Sequence, residues 1–77
     1  MSFAQLFPYF AVGVPIKRKP WGGYWKYDVV EDVVYMFTKE GEILSLLETK
    51  DVLFTLSNII SDDWQIATDD NSSIVVS

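Results

Sequence analysis

Three of the chain's six basic residues stand together at Lys17, Arg18 and Lys19, and Trp21 follows just after them. Guanidinium and ammonium groups donate hydrogen bonds to phosphate oxygens, and an indole offers a flat surface on which a base can stack. The chain as a whole carries a formal net charge of -5, so the basic run is a local anion site on an acidic protein. The pattern predicts nucleotide binding.

The basic run has a second interpretation, in which exposed lysines keep the edge of a sheet from aggregating. Because side chains alternate across a strand, Lys17 and Lys19 are expected on one face and Arg18 on the other. Arg18 is therefore expected to have a specific partner of its own, either a ligand or an acidic side chain such as Asp63.

Trp21 is the aromatic residue that the sequence links most closely to the basic run. Core packing is the commoner role of a tryptophan. Here the indole precedes Gly22 and Gly23, which allow a backbone to approach closely, so we expect Trp21 to cover a ligand ring. Tyr24 follows the glycines and is included in the predicted site. Trp64 lies in an alternating segment and is predicted to be buried.

The chemistry of the remaining residues argues against catalysis. The chain has no His and no Cys, which excludes disulfides and both imidazole and thiolate metal sites. Asp62 and Asp63 are adjacent, and on an extended segment their carboxylates point apart, so Asp63 is predicted to end a helical turn or to pair with Arg18. A Ser–Lys dyad stays open, but no position singles one out. We expect no enzyme activity, no metal and no cofactor.

The length of 77 residues allows one small domain. Folds of this size usually need a disulfide, a metal or a partner chain for stability, and only the partner chain is left. A composition that is 49% hydrophobic and 16% aromatic agrees, because it exceeds what one small core hides. The protein is therefore expected to form a homo-oligomer.

Hydropathy and charge predict where the protein is located and which large partners it lacks. No apolar stretch reaches the roughly 20 residues of a membrane-spanning helix. The apolar start of the chain lacks the basic region and cleavage pattern of a signal peptide, which predicts a soluble, cytoplasmic protein without a membrane partner. A pI near 4.3 disfavours binding of long nucleic acid, since phosphate repulsion acts over the whole acidic surface.

Two helix signals open the chain. Ser2 and Gln5 form a capping-box pattern, and apolar residues recur at helical spacing from Phe3 to Phe10. Gly13 is a suitable stop, and Pro8 predicts that the helix is short or kinked.

Strand patterns follow the helix and give an α+β domain over residues 1–67, with a polar, flexible tail over residues 68–77. Turns are predicted at Gly22–Gly23, at Glu31–Asp32 and around Gly41. One helical turn is predicted over Asn58–Asp63. The predicted strands after the basic run are Tyr24–Val30, Asp32–Thr38, Ile43–Leu47, Val52–Leu56 and Trp64–Ile66.

Two short signatures at the ends of this domain resemble a phage family, the Thoeris anti-defence proteins of the second type. In that family a short helix ends in Gly, a strand of the form Val-x-Arg-x-x-Trp follows, and the chain closes on Asp-Leu-Leu-Ala-x-Asp-Trp-x-Ile. Here residues 13–21 read Gly-Val-Pro-Ile-Lys-Arg-Lys-Pro-Trp, and residues 58–66 read Asn-Ile-Ile-Ser-Asp-Asp-Trp-Gln-Ile. Two departures are Asn58, where Asp is usual, and Pro8 inside the helix.

The resemblance implies a non-enzymatic sponge that binds glycocyclic ADP-ribose signals of the bacterial Thoeris system and withholds them from its effector. It also implies a homotetramer with ligand sites between subunits, and in some members separate sites for cyclic dinucleotides. Its location would be the host bacterial cytoplasm. The ligand-binding residues predicted for this chain are Lys17, Arg18, Lys19, Trp21, Tyr24, Asn58 and Asp63.

Two other classes of function stay open at this point. The aromatic surplus also fits a small phage structural or interaction protein that binds another protein through a strand edge or an apolar patch. An enzyme acting on a nucleotide is the third alternative.

Overall fold

The computed structural model describes residues 1–48 and 51–76 and has the α+β architecture that the sequence predicts. One helix precedes the sheet, and a second helix is inserted before the last strand. The elements are α1 Phe3–Phe10, β1 Ile16–Arg18, β2 Tyr24–Asp28, β3 Val33–Phe37, β4 Ile43–Ser45, a 3₁₀ turn Leu46–Glu48, α2 Val52–Ile59 and β5 Trp64–Ile66. Within these described ranges, every helix is too short to cross a membrane.

Helix α1 begins at the predicted capping box. The Ser2 hydroxyl accepts a hydrogen bond from the Gln5 backbone N–H at 3.1 Å, and the Gln5 side chain accepts one from the Ser2 N–H at 2.7 Å. Pro8 lies inside the helix, which is short as predicted and ends at Phe10. Gly13 then takes a φ of 99°, a left-handed conformation that suits glycine and turns the chain toward β1.

The five strands form one antiparallel sheet in the order β4-β3-β2-β1-β5. Strands β1 to β4 follow one another as neighbours, and β5 returns to pair with the outer side of β1. The other side of β5 meets the start of the chain, where the Met1 carbonyl accepts a hydrogen bond from the Trp64 N–H at 2.8 Å. The last strand therefore has neighbours on both sides.

The core lies between α1 and one face of the sheet. Its fully buried residues are Leu6, Phe10, Ile16, Trp25 and Trp64. Trp64, predicted to be buried, is 1% exposed and sits at the centre of an aromatic group: its ring centroid lies 5.3 Å from those of both Phe3 and Trp25. Aromatic rings at these distances and tilts attract one another beyond the burial of their area.

The segment Val52–Leu56 was predicted to be a strand, and this prediction is wrong, because it forms the first part of α2. Its residue types favour strands, but propensity is a weak preference that local contacts override. Here the Asp51 carboxylate accepts a hydrogen bond from the Phe54 N–H at 3.0 Å and caps the helix.

Several strand boundaries also differ from the sequence prediction. Strands β2 and β3 end at Asp28 and Phe37, and β3 begins at Val33, so the predicted strands Tyr24–Val30 and Asp32–Thr38 are too long. Strand β4 ends at Ser45, and Leu46–Glu48 forms the 3₁₀ turn, so the predicted strand Ile43–Leu47 is too long. The helical turn predicted over Asn58–Asp63 is instead the end of α2, which stops at Ile59. Residues 49 and 50, predicted to separate two strands, lie outside the described part of the chain.

Residues 68–76, which we call the C-terminal strap, lie back against the sheet. Asn71 shapes its first turn: the side-chain oxygen accepts from the Thr68 N–H at 2.8 Å, and the side-chain amide donates to the Ile66 carbonyl at 2.9 Å. Farther on, the Ser73 N–H donates to the Gly22 carbonyl at 2.8 Å. The segment predicted to be a flexible tail thus has defined contacts with the domain.

Candidate functional site

Arg18 forms the centre of the predicted site. It ends β1 opposite Trp64 of β5, which brings the preceding residue, Asp63, beside its guanidinium. Nε of Arg18 donates to one carboxylate oxygen of Asp63 at 2.7 Å, and Nη2 donates to the other at 3.1 Å. The predicted ion pair is confirmed. The two side chains are 25% and 34% exposed, so the pair faces solvent.

Asn58 completes this cluster from the last turn of α2. Its side-chain oxygen accepts a hydrogen bond from Nη1 of Arg18 at 2.8 Å, and its backbone carbonyl accepts one from the indole N–H of Trp64 at 2.8 Å. The bond from Arg18 fixes which way the amide faces. The amide nitrogen is then a buried donor without an acceptor among the described residues. Such a group is stabilised by any oxygen that reaches it.

The charges of the Arg18–Asp63 pair cancel. The hydrogen bonds from Arg18, together with its positive charge, hold the pKa of the Asp63 carboxyl below its usual range. The same contacts raise the pKa of Arg18. Both groups are therefore ionised at neutral pH, and a ligand anion meets a neutralised guanidinium. Each of its two terminal nitrogens keeps one N–H that is not used in these contacts and can donate to a ligand.

Trp21 follows Arg18 in a tight turn, in which the Trp21 N–H donates to the Arg18 carbonyl at 3.0 Å. The indole is half-buried at the edge of the core. Its ring centroid lies 5.5 Å from that of Trp25 and 5.2 Å from that of Trp64. Trp21 thus has the packing role that most tryptophans have, and it keeps part of its surface free.

A cavity of about 430 Å³, the Trp21 cavity, opens beside this indole. A volume of this order is typical of small-molecule sites. Aromatic rings, the Gly22–Gly23 backbone and the Lys39 side chain surround it. The lining residues are Pro20, Trp21, Gly22, Gly23, Tyr24, Trp25, Met36, Phe37, Thr38, Lys39, Glu40, Leu44 and Phe54.

The two glycines beside Trp21 allow a close approach of backbone, as predicted. A Cβ atom at Gly23 would lie 1.8 Å from the Phe37 carbonyl oxygen on β3. A Cβ atom at Gly22 would lie 2.5 Å from the Ser73 hydroxyl in the C-terminal strap. The neighbours that approach are therefore other parts of this chain, which pack against the back of the turn.

The remaining predicted residues do not join the Arg18 cluster. Lys17 and Tyr24 are each 1% exposed, and the strand register places their side chains on the face opposite Arg18, where both contact the C-terminal strap. Tyr24 also contributes to the lining of the Trp21 cavity. Lys19 stands past the end of β1, where its side chain is exposed and its N–H donates to the Asp63 carbonyl at 2.9 Å. Because β1 stops at Arg18, strand alternation does not extend to Lys19, and the two lysines differ in exposure.

Sequence reasoning missed Trp25, Lys39 and Phe54 as neighbours of Trp21. The hairpin of β2 and β3 pairs Tyr24 with Phe37, and this register carries Lys39 to the mouth of the cavity. The predicted turn around Gly41 already contained the signal for Lys39. Phe54 could not be found, since its position depends on α2 being a helix.

A second cavity of about 710 Å³ shares Phe37 with the Trp21 cavity and includes none of the predicted site residues. Its lining residues are Val12, Gly13, Lys26, Tyr27, Asp28, Val29, Tyr35, Phe37 and Ile43. Comparison with protein-family models, with curated proteins and with solved structures gives no match to this chain. The geometry and chemistry of its own residues therefore carry the functional inference.

Proposed function

We propose that the protein binds a cyclic ADP-ribose-type nucleotide and sequesters it without cleaving it. The observation that carries the proposal is the Trp21 cavity, where two indoles and a glycine backbone border one small-molecule space that Lys39 and Glu40 also line. Arg18 is outside this lining but lies in the same tight turn as Trp21. Base-stacking surfaces and phosphate-binding cations thus occur within one short stretch of the fold.

Each part of such a ligand has a matching group. A purine can lie against the free surface of the Trp21 indole, since stacking tolerates any base. The pyrophosphate oxygens can accept hydrogen bonds from the Lys39 ammonium and from the outward N–H groups of Arg18. Binding by stacking and hydrogen bonds requires no nucleophile or general base, which suits capture without turnover.

The resemblance of the two terminal signatures extends this proposal to a biological role. We propose that the protein is a phage anti-defence sponge, acting in the host bacterial cytoplasm against the Thoeris system, with glycocyclic ADP-ribose as its ligand. Cyclic dinucleotides are proposed as additional ligands, and a homotetramer as the active form.

Replacement of Trp21 tests the proposed stacking surface. We expect Trp21→Ala to weaken binding of cyclic ADP-ribose by roughly 1 to 3 kcal/mol, because one stacked base contact is lost. Trp21→Phe keeps an aromatic face and should retain most of the affinity. Calorimetric titration gives the affinity, and thermal unfolding of the same variants reports the packing against Trp25 and Trp64. Normal affinity in a folded Trp21→Ala variant would remove Trp21 from the site.

A second candidate function, an interaction protein, is favoured by the outer surface of α2. Large apolar side chains on and just after this helix are exposed and make an unpartnered face in the single chain. These residues, with their exposed fractions, are Val52 65%, Leu53 79%, Phe54 57%, Leu56 52% and Ile60 83%. Exposed apolar patches of this kind are typical of protein interfaces. The same face serves the sponge proposal if its partner is another copy of this chain.

Self-association through α2 is expected to be disrupted by a charge at its most exposed position. Leu53→Glu should lower the mass measured by light scattering at micromolar concentration, since a carboxylate in an apolar interface is strongly unfavourable. Val30→Glu is the matched control, because Val30 is 95% exposed in the turn between β2 and β3. A wild-type mass of 8.8 kDa would contradict the oligomer altogether.

A further inference from the structure

The face of the sheet turned away from α1 carries a lysine that is sealed under the C-terminal strap. Lys17 is 1% exposed, and its ammonium donates a hydrogen bond to the backbone carbonyl of Asn71. Tyr24 is equally buried, and its hydroxyl donates to the Val75 carbonyl at 3.5 Å. The cation and the hydroxyl on this face are therefore both held by carbonyls of the strap.

These two side chains are neighbours on the sheet. The antiparallel register that pairs Ile16 with Trp25 sets Lys17 across from Tyr24, and directly opposed side chains on one face lie close together. On its other side Lys17 pairs with Gln65 of β5. An ammonium, a phenol hydroxyl and an amide thus stand in one row across three strands, and the first two are bonded to the strap. Their donors match the oxygens of a small anion.

The buried ammonium of Lys17 has little to balance its positive charge while the strap covers it. It has several N–H donors, and its hydrogen-bond acceptor within residues 1–48 and 51–76 is the Asn71 carbonyl. The ion pair between Arg18 and Asp63 does not involve Lys17. Burial lowers the pKa of Lys17, as expected for a cation removed from water without a counter-charge. An anion with several oxygens would compensate it better than one carbonyl does.

The strap that covers Lys17 is held by few contacts. One backbone hydrogen bond joins Ser73 to Gly22, and the contact between Tyr24 and Val75 is at the upper limit of a hydrogen-bond distance. The Val75 side chain is 79% exposed and adds little apolar burial, whereas Ile74 and Val76 are half-buried. Segments with few buried apolar contacts are those that open at low free-energy cost.

We propose that the strap is a displaceable cover over an anion site, and that a small phosphate-type anion replaces the Asn71 carbonyl at the Lys17 ammonium and accepts a hydrogen bond from Tyr24. The site is separate from the proposed nucleotide site, because Lys17 and Arg18 project from opposite faces of β1. Inorganic pyrophosphate is the probe that represents this chemistry.

Lysine acetylation followed by mass spectrometry tests the proposal on the full chain. Lys19 is exposed and nearly adjacent, so it serves as the internal standard for the rate at Lys17. Asn71→Ala removes the side chain that closes the first turn of the strap and should speed acetylation of Lys17 about tenfold or more relative to Lys19. Pyrophosphate should then slow Lys17 again, whereas chloride at the same ionic strength should not.

A disulfide that holds the strap closed tests the opposite condition. A Cβ atom at Gly22 would lie 3.1 Å from the Ser73 Cβ and 2.8 Å from the Lys39 Cβ, so a disulfide, in which the Cβ atoms are about 3.8 Å apart, requires the strap and Lys39 to shift outward by under about 1 Å. The chain has no other cysteine to compete for the bond. Oxidised Gly22→Cys/Ser73→Cys protein should show slow Lys17 acetylation that pyrophosphate does not change, and reduction should restore the response. The lock therefore separates an opening strap from a general loosening of the fold.

Three results decide the proposal. Faster acetylation of Lys17 in Asn71→Ala with specific protection by pyrophosphate supports it. Unchanged acetylation in both Asn71→Ala and Ser73→Pro overturns the displaceable strap. Faster acetylation without protection by millimolar pyrophosphate overturns the anion site.

Discussion

Replacement of Arg18 by Ala is expected to lower the affinity for a pyrophosphate-containing nucleotide by about 2 to 4 kcal/mol, a loss of roughly 30- to 700-fold. The reason is that Arg18 presents outward N–H donors from a guanidinium that Asp63 and Asn58 hold in place. A prepositioned donor loses little conformational entropy when a ligand binds. Calorimetric titration of the variant with cyclic ADP-ribose measures the effect.

The counter-charge provides a control with the opposite sign. Asp63→Asn removes the negative charge that neutralises Arg18, so the affinity for an anionic ligand should be retained or rise. If Arg18 were only a structural partner of Asp63, both variants would lower the melting temperature and neither would change ligand capture. Normal capture by folded Arg18→Ala protein would contradict a role in binding.

Replacement of Trp64 by Ala is expected to have the largest effect on stability. The side chain is 1% exposed and contacts the rings of Phe3, Trp21 and Trp25. Removal of a buried tryptophan typically costs about 3 to 5 kcal/mol of unfolding free energy. In a domain of this size each kcal/mol corresponds to roughly 4 to 8 °C of melting temperature, so the variant should be largely unfolded at ambient temperature.

A conservative variant separates the two contributions of this residue. Trp64→Phe keeps an aromatic ring in the core but leaves the Asn58 carbonyl without its indole N–H donor, at a cost of about 1 to 3 kcal/mol. Thermal unfolding followed by circular dichroism measures both variants. A Trp64→Ala protein that melts within a few degrees of wild type would contradict the placement of this ring at the centre of the core.

Local patterns predicted the parts of the fold that local chemistry decides. The capping box at Ser2 and the left-handed Gly41, with a φ of 87°, are set by neighbouring residues, and both agree with the structure. Helix α2 was mistaken for a strand because its apolar residues carry no clear period. Its cap at Asp51 and the burial of Asn58 against Arg18 involve contacts that sequence spacing does not reveal.

The candidate site could be predicted in part for the same reason. The pairing of Arg18 with Asp63 could be predicted, because an isolated guanidinium on one face of a strand requires a partner. Strand alternation predicts that Lys17 and Arg18 lie on opposite faces, but it does not predict that the C-terminal strap covers Lys17. That cover depends on the strap folding back through Asn71, and polar composition alone predicts a free tail.

Recovery of an intact ligand after capture tests the central proposal most directly. The protein is incubated with cyclic ADP-ribose, separated from free ligand, and heated to release whatever it holds. We expect wild-type protein to deplete the ligand from solution and to return the same compound unchanged, and we expect Arg18→Ala protein to leave it in solution. Failure of wild-type protein to deplete the ligand, or release of a chemically altered product, would contradict sequestration without cleavage.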